Sequence, residues 1–143
     1  EVFFEDAELD YGPGLYRGPP GPFIPFALEF QGAMRHTQHR LSNLLIERSG
    51  ERAFCESYVC AVHQLEREGA LLDLIVEGRF LDGFELRRGE WRVARRVEVI
   101  DFAHERPSTL HWFEQGPELN RGRHGMDDLL FKVRREWLTG TDS

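Results

Sequence analysis

The sequence predicts an α+β domain, a strongly curved antiparallel sheet wrapped over a helix. Three observations carry this. Between residues 39 and 104 apolar side chains alternate with polar ones in four runs, as half-buried strands require. Upstream, "PFIPFALEFQGAM" places Phe23, Phe26, Ala27 and Phe30 at helical spacing, which gives one greasy helix face. The chain has 143 residues, 41% hydrophobic and 30% charged, which suits one compact domain over 1–143 with room for a core or a small-ligand cavity.

The elements follow in order. "VFFEDAELDY" (2–11) reads as a strand that stops at the turn-forming "GPG" (12–14). "YRGPPGPFIPF" is an ordered Pro/Gly loop leading into a helix over 22–34. Four long strands are expected at 39–48, 52–66, 71–87 and 90–104, broken by Ser49-Gly50, Gly69 and Arg88-Gly89, which suit hairpin turns. Consecutive strands on short connections make an antiparallel meander. These strands are long for a sandwich of this size, so the sheet should curve over a helix. Residues 106–125 are irregular, with Pro107, Pro117, Gly122 and Gly125, and "MDDLLFKVRREWL" (126–138) forms a closing amphipathic helix capped by Asp127 or Asp128.

Composition excludes several classes. A net charge of -7 and a pI near 5.4 argue against nucleic-acid binding, which needs clustered cations for phosphate. The runs Arg87-Arg88, Arg92 with Arg95-Arg96, and Arg121 to Arg123 are interleaved with Glu or Gly and read as solvated strand faces or loops. No apolar run reaches the ~18 residues of a membrane span, so no membrane partner is expected. Cys55 and Cys60 in "CESYVC" fall on opposite faces of a strand and cannot bridge each other, which fits a cytoplasmic home. The chain opens at Glu1 inside an apparent strand, so an upstream segment is expected to precede it.

The candidate chemistry begins at "AMRHTQHRLSNLLIE", where His36 and His39 stand at the entrance of a strand. An imidazole is readily set up to accept and return a proton at neutral pH. A surface or capping role is the plain alternative. In 71–84 the even positions, among them Phe80, Asp82 and Phe84, form the inner face, and Asp82 there needs a partner or a proton. In the preceding strand Cys55, Ser57, Val59, Ala61 and His63 make an inner lane of small residues, which leaves room for a ligand. If the odd face of 39–45 also points inward, His39, Leu41, Asn43 and Leu45 join it, and two imidazoles and an amide share one cavity. A metal site at His36 and His39 would need a third ligand such as His63 or Asp82; none is assigned, and no cofactor is expected.

The order "FEDAELDYG", aromatic helix, "TQHRLSN", "AFCESYVCAVHQL" and "GRFLDGFELRRGEWRVARRVEVIDF" resembles the SnoaL-like group of the nuclear-transport-factor-two-like superfamily over nearly the whole chain. That group includes scytalone dehydratase, ketosteroid isomerase and a dehydrochlorinase. The resemblance implies a cone-shaped, cystatin-like barrel of curved antiparallel sheet wrapped over helices. It points to His39 ("TQH") and His63 ("AVHQL") as active-site histidines, to Tyr11 ("LDYG") as an active-site tyrosine, and to Arg92 ("GEWRV") as the match of a dehydrochlorinase arginine. The dehydrochlorinase histidine falls about one turn before His39, so His36 is a rival. The active-site asparagine of scytalone dehydratase falls at Phe80, and the family's dyad aspartate would lie on a helix upstream of "FEDA", which this sequence lacks.

Together these readings predict a cofactor-independent lyase or isomerase acting on a hydrophobic cyclic or polyketide-like molecule. His39, His63 and Tyr11 carry the acid–base chemistry; His36, Phe26, Phe30, Asn43, Phe80, Asp82 and Arg92 line the pocket, whose shape also depends on Phe84 and Trp112. The competing class is a non-catalytic ligand-binding or assembly module, such as the β subunit of a ring-hydroxylating dioxygenase. A homodimer or homotrimer is expected from the resemblance.

Overall fold

A computed structural model of the chain describes residues 2–108, 120 and 122–140; Trp112 lies outside them. The chain forms two compact units, Glu1–Ser108 and Thr109–Ser143. The first contains β1 (Phe3–Asp10), β2 (Arg17–Gly18), α1 (Pro20–Gly32), β3 (His36–Ser49), β4 (Arg52–Arg67), β5 (Ala70–Arg87) and β6 (Glu90–Pro107). These strands form one sheet in the order β2-β1-β6-β5-β4-β3.

The four long strands make the expected meander. Two of its turns are Glu68-Gly69 and Arg88-Gly89, with positive φ at all four residues (53°, 77°, 54° and 83°), the hand that matches the twist of the flanking strands. One pairing is not antiparallel: β1 runs parallel to β6, with Glu8 opposite Arg95 and Asp10 opposite Val97. No hairpin joins these two strands, since α1 and the first three meander strands lie between them, so connection length does not force the antiparallel sense. The strands also exceed their expected ends. β3 starts at His36, which puts both histidines of the pair inside the strand rather than at its entrance.

α1 starts on Pro20, where a missing N–H costs nothing, yet it also holds Pro25, which forfeits an interior hydrogen bond. Ring contacts along one side retain it. Tyr11 stacks on Phe23 with centroids 4.4 Å apart, and Phe30 meets His63 at 6.3 Å. The helix therefore lies on the sheet face that carries the buried residues Ala7, Leu9, Cys55, Val59, Ala61, Phe80 and Val93.

Three irregularities bend the long strands. The β3–β4 register shifts between Ser42 and Leu45, where Asn43 takes a left-handed φ of 49°. The β5–β6 register shifts between Glu77 and Gly78 and between Gly83 and Phe84. An extra residue on one strand of a pair kinks and twists it, and repeated kinks curl a sheet. The described residues of the second unit include a 3-10 turn, Gly125–Asp127, and α2 (Leu129–Thr139). Asp128 caps α2 by accepting from the Leu130 N–H at 2.9 Å, which resolves the choice between Asp127 and Asp128. No described helix is long and apolar enough to cross a membrane.

Candidate active site

Two polar groups of side chains stand on the inner face of the sheet. The first forms where β3 meets β4. The Arg35 N–H donates to the Gln64 carbonyl at 2.7 Å, and the register that follows sets Thr37 opposite His63 and His39 opposite Ala61. All four of these paired side chains share one face, on which Ala61 and His63 are buried, Thr37 is half-buried and His39 is exposed at the open edge. His63 is buried, and its Nδ1 lies 2.8 Å from the Thr37 hydroxyl. The His39 ring meets the His63 ring edge-on, with centroids 5.2 Å apart and planes at 81°. Burial lowers the pKa of both imidazoles from 6.5, and in His63 the neighbouring His39 charge lowers it further. Both rings are consequently neutral near pH 7 and able to accept a proton.

The second group is centred on Arg96. Its guanidinium donates through Nε and Nη2 to the two oxygens of Asp82 at 2.7 and 2.6 Å, and it lies over the Phe80 ring at 4.1 Å. Burial opposes the charge on Arg96, but the hydrogen bonds it donates to Asp82 and the Asp82 charge override this and hold the guanidinium fully protonated. The Tyr11 phenol completes the group. Burial raises its pKa above 10.0, against the pull of Arg96, so it remains a hydroxyl donor across the neutral range. The loop after β1 fixes this tyrosine: the Tyr11 N–H donates to the Tyr16 carbonyl at 2.8 Å, and Asp10 Oδ1 accepts from the Gly12 N–H at 2.9 Å.

Aromatic rings link the two groups along α1. The series runs Tyr11, Phe23, Phe26, Phe30, His63, with centroid spacings of 4.4, 6.3, 6.3 and 6.3 Å. Below it, the sheet offers the small side chains Ser57, Val59, Ala61 and Gly78. An apolar surface bounded by polar groups at two ends suits a hydrophobic molecule carrying oxygen.

The structure brings together His39, His63, Tyr11, Phe26, Phe30, Phe80 and Asp82 on this face. Asp82 is buried, and its partner is Arg96. Three other candidates lie elsewhere. His36 pairs with Gln64 and is exposed on the opposite face, so of the two rival histidines only His39 meets His63. Asn43 sits exposed in the β3 bulge, and the same bulge reverses the parity of the strand: Leu45 opposes Glu56, an outer residue, so the expected inner row ends at Leu41. Arg92 opposes Glu85 on the outer face, where it pairs with Glu90 and lies beside the Phe4 ring.

Arg96 was expected on a solvated strand face and instead lies on the inner face, with 15% of its side chain exposed. The cause is the extra residue at Ala94. Phe84 opposes Val93 while Gly83 opposes Arg95, so inner positions on β6 change from Val93 to Arg96, Glu98 and Ile100. The signal available in the sequence was Asp82, an inner carboxylate whose hairpin neighbour should be its cation. Cys55, opposite Asp82, is a free thiol whose pKa is raised by burial and then by the Asp82 charge; Cys60 is free on the other face. Among the described residues, no three His, Cys, Asp or Glu side chains converge to hold a metal ion.

The family profile of the SnoaL-like domain matches residues 1–97. Among solved structures, one from Novosphingobium aromaticivorans, provisionally named a scytalone dehydratase, is 28% identical with a TM-score of 0.61, covering 72% of this chain and 68% of that one. A second protein from that organism, provisionally named an aromatic ring hydroxylase, is 25% identical with a TM-score of 0.59 over 76% and 75% of the two chains. A hexachlorocyclohexane dehydrochlorinase shares the fold at 18% identity, with a TM-score of 0.63 over 76% and 74%. A search of curated proteins returns no match.

Proposed function

The chain belongs to the SnoaL-like family, and on that premise we propose that it is a lyase or isomerase that moves a proton on a hydrophobic cyclic or polyketide-like molecule. The observation that carries this reading is the edge-on meeting of two neutral imidazoles, His39 and His63, beside the Phe30 ring of α1. In the proposed reaction His39 removes a proton from a carbon beside a carbonyl. His63, with its Nδ1 held by Thr37, presents Nε2 to an oxygen that departs or gains charge. At the other end Arg96 and Tyr11 offer a cation and a hydroxyl to a substrate oxygen, where preorganised donors stabilise developing negative charge. The 28% identity to the protein provisionally named a scytalone dehydratase supports the reaction class.

The outer face of the sheet exposes Phe54, Tyr58 and Phe102, an apolar surface on which a second copy can pack, as the homo-oligomer reading proposes.

The test is deuterium exchange at carbons beside the carbonyl in a panel of cyclic ketones in heavy water. The wild-type protein should accelerate exchange for at least one member, and His39→Ala should lose ~10²- to 10⁴-fold of that acceleration, the range of a positioned general base. Binding of ketones without any acceleration would favour the ligand-binding module instead.

A further inference from the structure

Glu98 takes no part in the proton transfers above, yet it lies within the site. It sits on the inner face of β6 opposite Phe80, one inner position beyond Arg96, and the next strand sets Ser57 opposite Phe80. Among the described residues its carboxyl has no hydrogen-bond or ion-pair partner. The nearby cation is already engaged, since Arg96 directs Nε and Nη2 to Asp82. The carboxyl is half-buried and keeps some contact with water, and burial raises its pKa against the opposing pull of Arg96, so it stands open to a hydrogen-bond donor from a bound molecule. An arrangement of this kind becomes favourable once a bound molecule brings the missing donor.

We propose that Glu98 is a specificity-determining residue that accepts a hydrogen bond from a ligand hydroxyl, so that the site selects hydroxylated ring compounds over isosteres lacking the donor. The inference rests on the reading of the inner face as a site for a hydrophobic ring substrate and adds the group recognised at the end away from the histidines. The dimensions agree. Phe23, beside Tyr11, and Phe30, beside His63, are seven residues apart on one helix, which at 1.5 Å per residue separates the two ends by about 10 Å. A fused bicyclic molecule spans that distance, with its hydroxyl at Glu98 and its reacting carbon near His39.

The experiment uses the full chain and two probes, 2-naphthol and 2-methoxynaphthalene, which differ in whether the oxygen can donate. Affinity is read from ring-proton shifts of His39 and His63, which report occupancy independently of Glu98. In the wild type 2-naphthol should bind about tenfold more tightly or better, as expected when a carboxylate acceptor is otherwise unpaired. Glu98→Leu should abolish the preference, and Glu98→Gln, which keeps an uncharged acceptor, should reduce it. If Glu98→Leu does not fold, Glu98→Gln carries the test. Equal affinity for both probes in the wild type, or a preference unchanged by substitution, would overturn the inference and leave the histidine site intact. If neither probe moves either histidine in the wild type, the site reading fails and this inference fails with it.

Discussion

His39 and His63 meet edge-on at 5.2 Å, although 23 residues separate them in sequence. Strand register produces the meeting: His39 faces Ala61, the small side chain of Ala61 leaves space, and His63 occupies the next position along the same face. Two imidazoles this close disfavour double protonation, and burial disfavours protonation of either.

That pairing predicts how stability depends on pH. The folded pKa of each ring lies below the unfolded value of 6.5, so below that value the unfolded chain binds more protons. Stability conferred by the neutral pair is present above pH 6.5 and is lost as pH falls toward the folded pKa values. Thermal melts should show Tm falling on acidification from about 6.5, and the double variant His39→Gln/His63→Gln should lose part of that slope. An identical slope in both proteins would contradict it.

Thr37 should set the tautomer of His63. Its hydroxyl lies 2.8 Å from Nδ1, so it fixes which ring nitrogen carries the proton and which faces the site. Thr37→Val should lower kcat about fivefold, corresponding to a hydrogen bond worth ~1 kcal/mol, and shift the pH profile. Thr37→Ser should restore both, whereas a packing role alone would leave the pH profile unmoved.

The Arg96–Asp82 pair is the most buried ion pair among the described residues, with 15% and 6% of the side chains exposed. Asp82→Asn leaves a buried guanidinium without its counter-charge and should cost ~3 to 5 kcal/mol in denaturant unfolding. Replacing both residues, as Asp82→Leu/Arg96→Met, should recover most of that stability. The double variant should still lose activity on an oxygenated substrate, which separates the structural role of Arg96 from its chemical one.

Gly78 is required by backbone proximity. A Cβ there would lie 2.1 Å from the Val99 carbonyl oxygen, a group held in place by the sheet at the β6 bulge. Gly78→Ala should destabilise the fold by ~1 to 3 kcal/mol or more. It should also move His39 and His63 resonances, since Gly78 and Ala61 belong to adjoining strands beneath the site. Gly83→Ala, whose Cβ would lie 3.7 Å from Arg95 Cβ and meet no backbone atom closer than 3.8 Å, is the tolerated control.

Much of this was legible in the sequence because strand alternation reports faces directly. The lane of Cys55, Ser57, Val59, Ala61 and His63, and the inner position of Asp82, follow from parity and are found buried. Parity fails wherever a bulge inserts a residue, and bulges leave little trace in composition. Val93, Val97 and Val99 alternate as though one apolar face continued along β6, which assigns Arg96 and Glu98 to the outside. The extra residue at Ala94 reverses this, carries Arg96 and Glu98 inward and leaves Val97 and Val99 on the outer face. The bulge at Asn43 likewise ended the inner row of β3 after Leu41, and the outer position of Arg92 follows from its register with Glu85. The parallel pairing of β1 with β6 was hidden for another reason, since it joins segments separated by the whole meander.

The most direct test of the account is an NMR titration of the His39 and His63 ring protons in the full chain, with assignments from His39→Ala and His63→Ala. Both rings should titrate below the ordinary imidazole value, removal of His39 should raise the pKa of His63, and both rings should shift when a cyclic ketone that undergoes exchange is added. Two rings titrating as free imidazole, each indifferent to loss of the other and to every ketone, would contradict it.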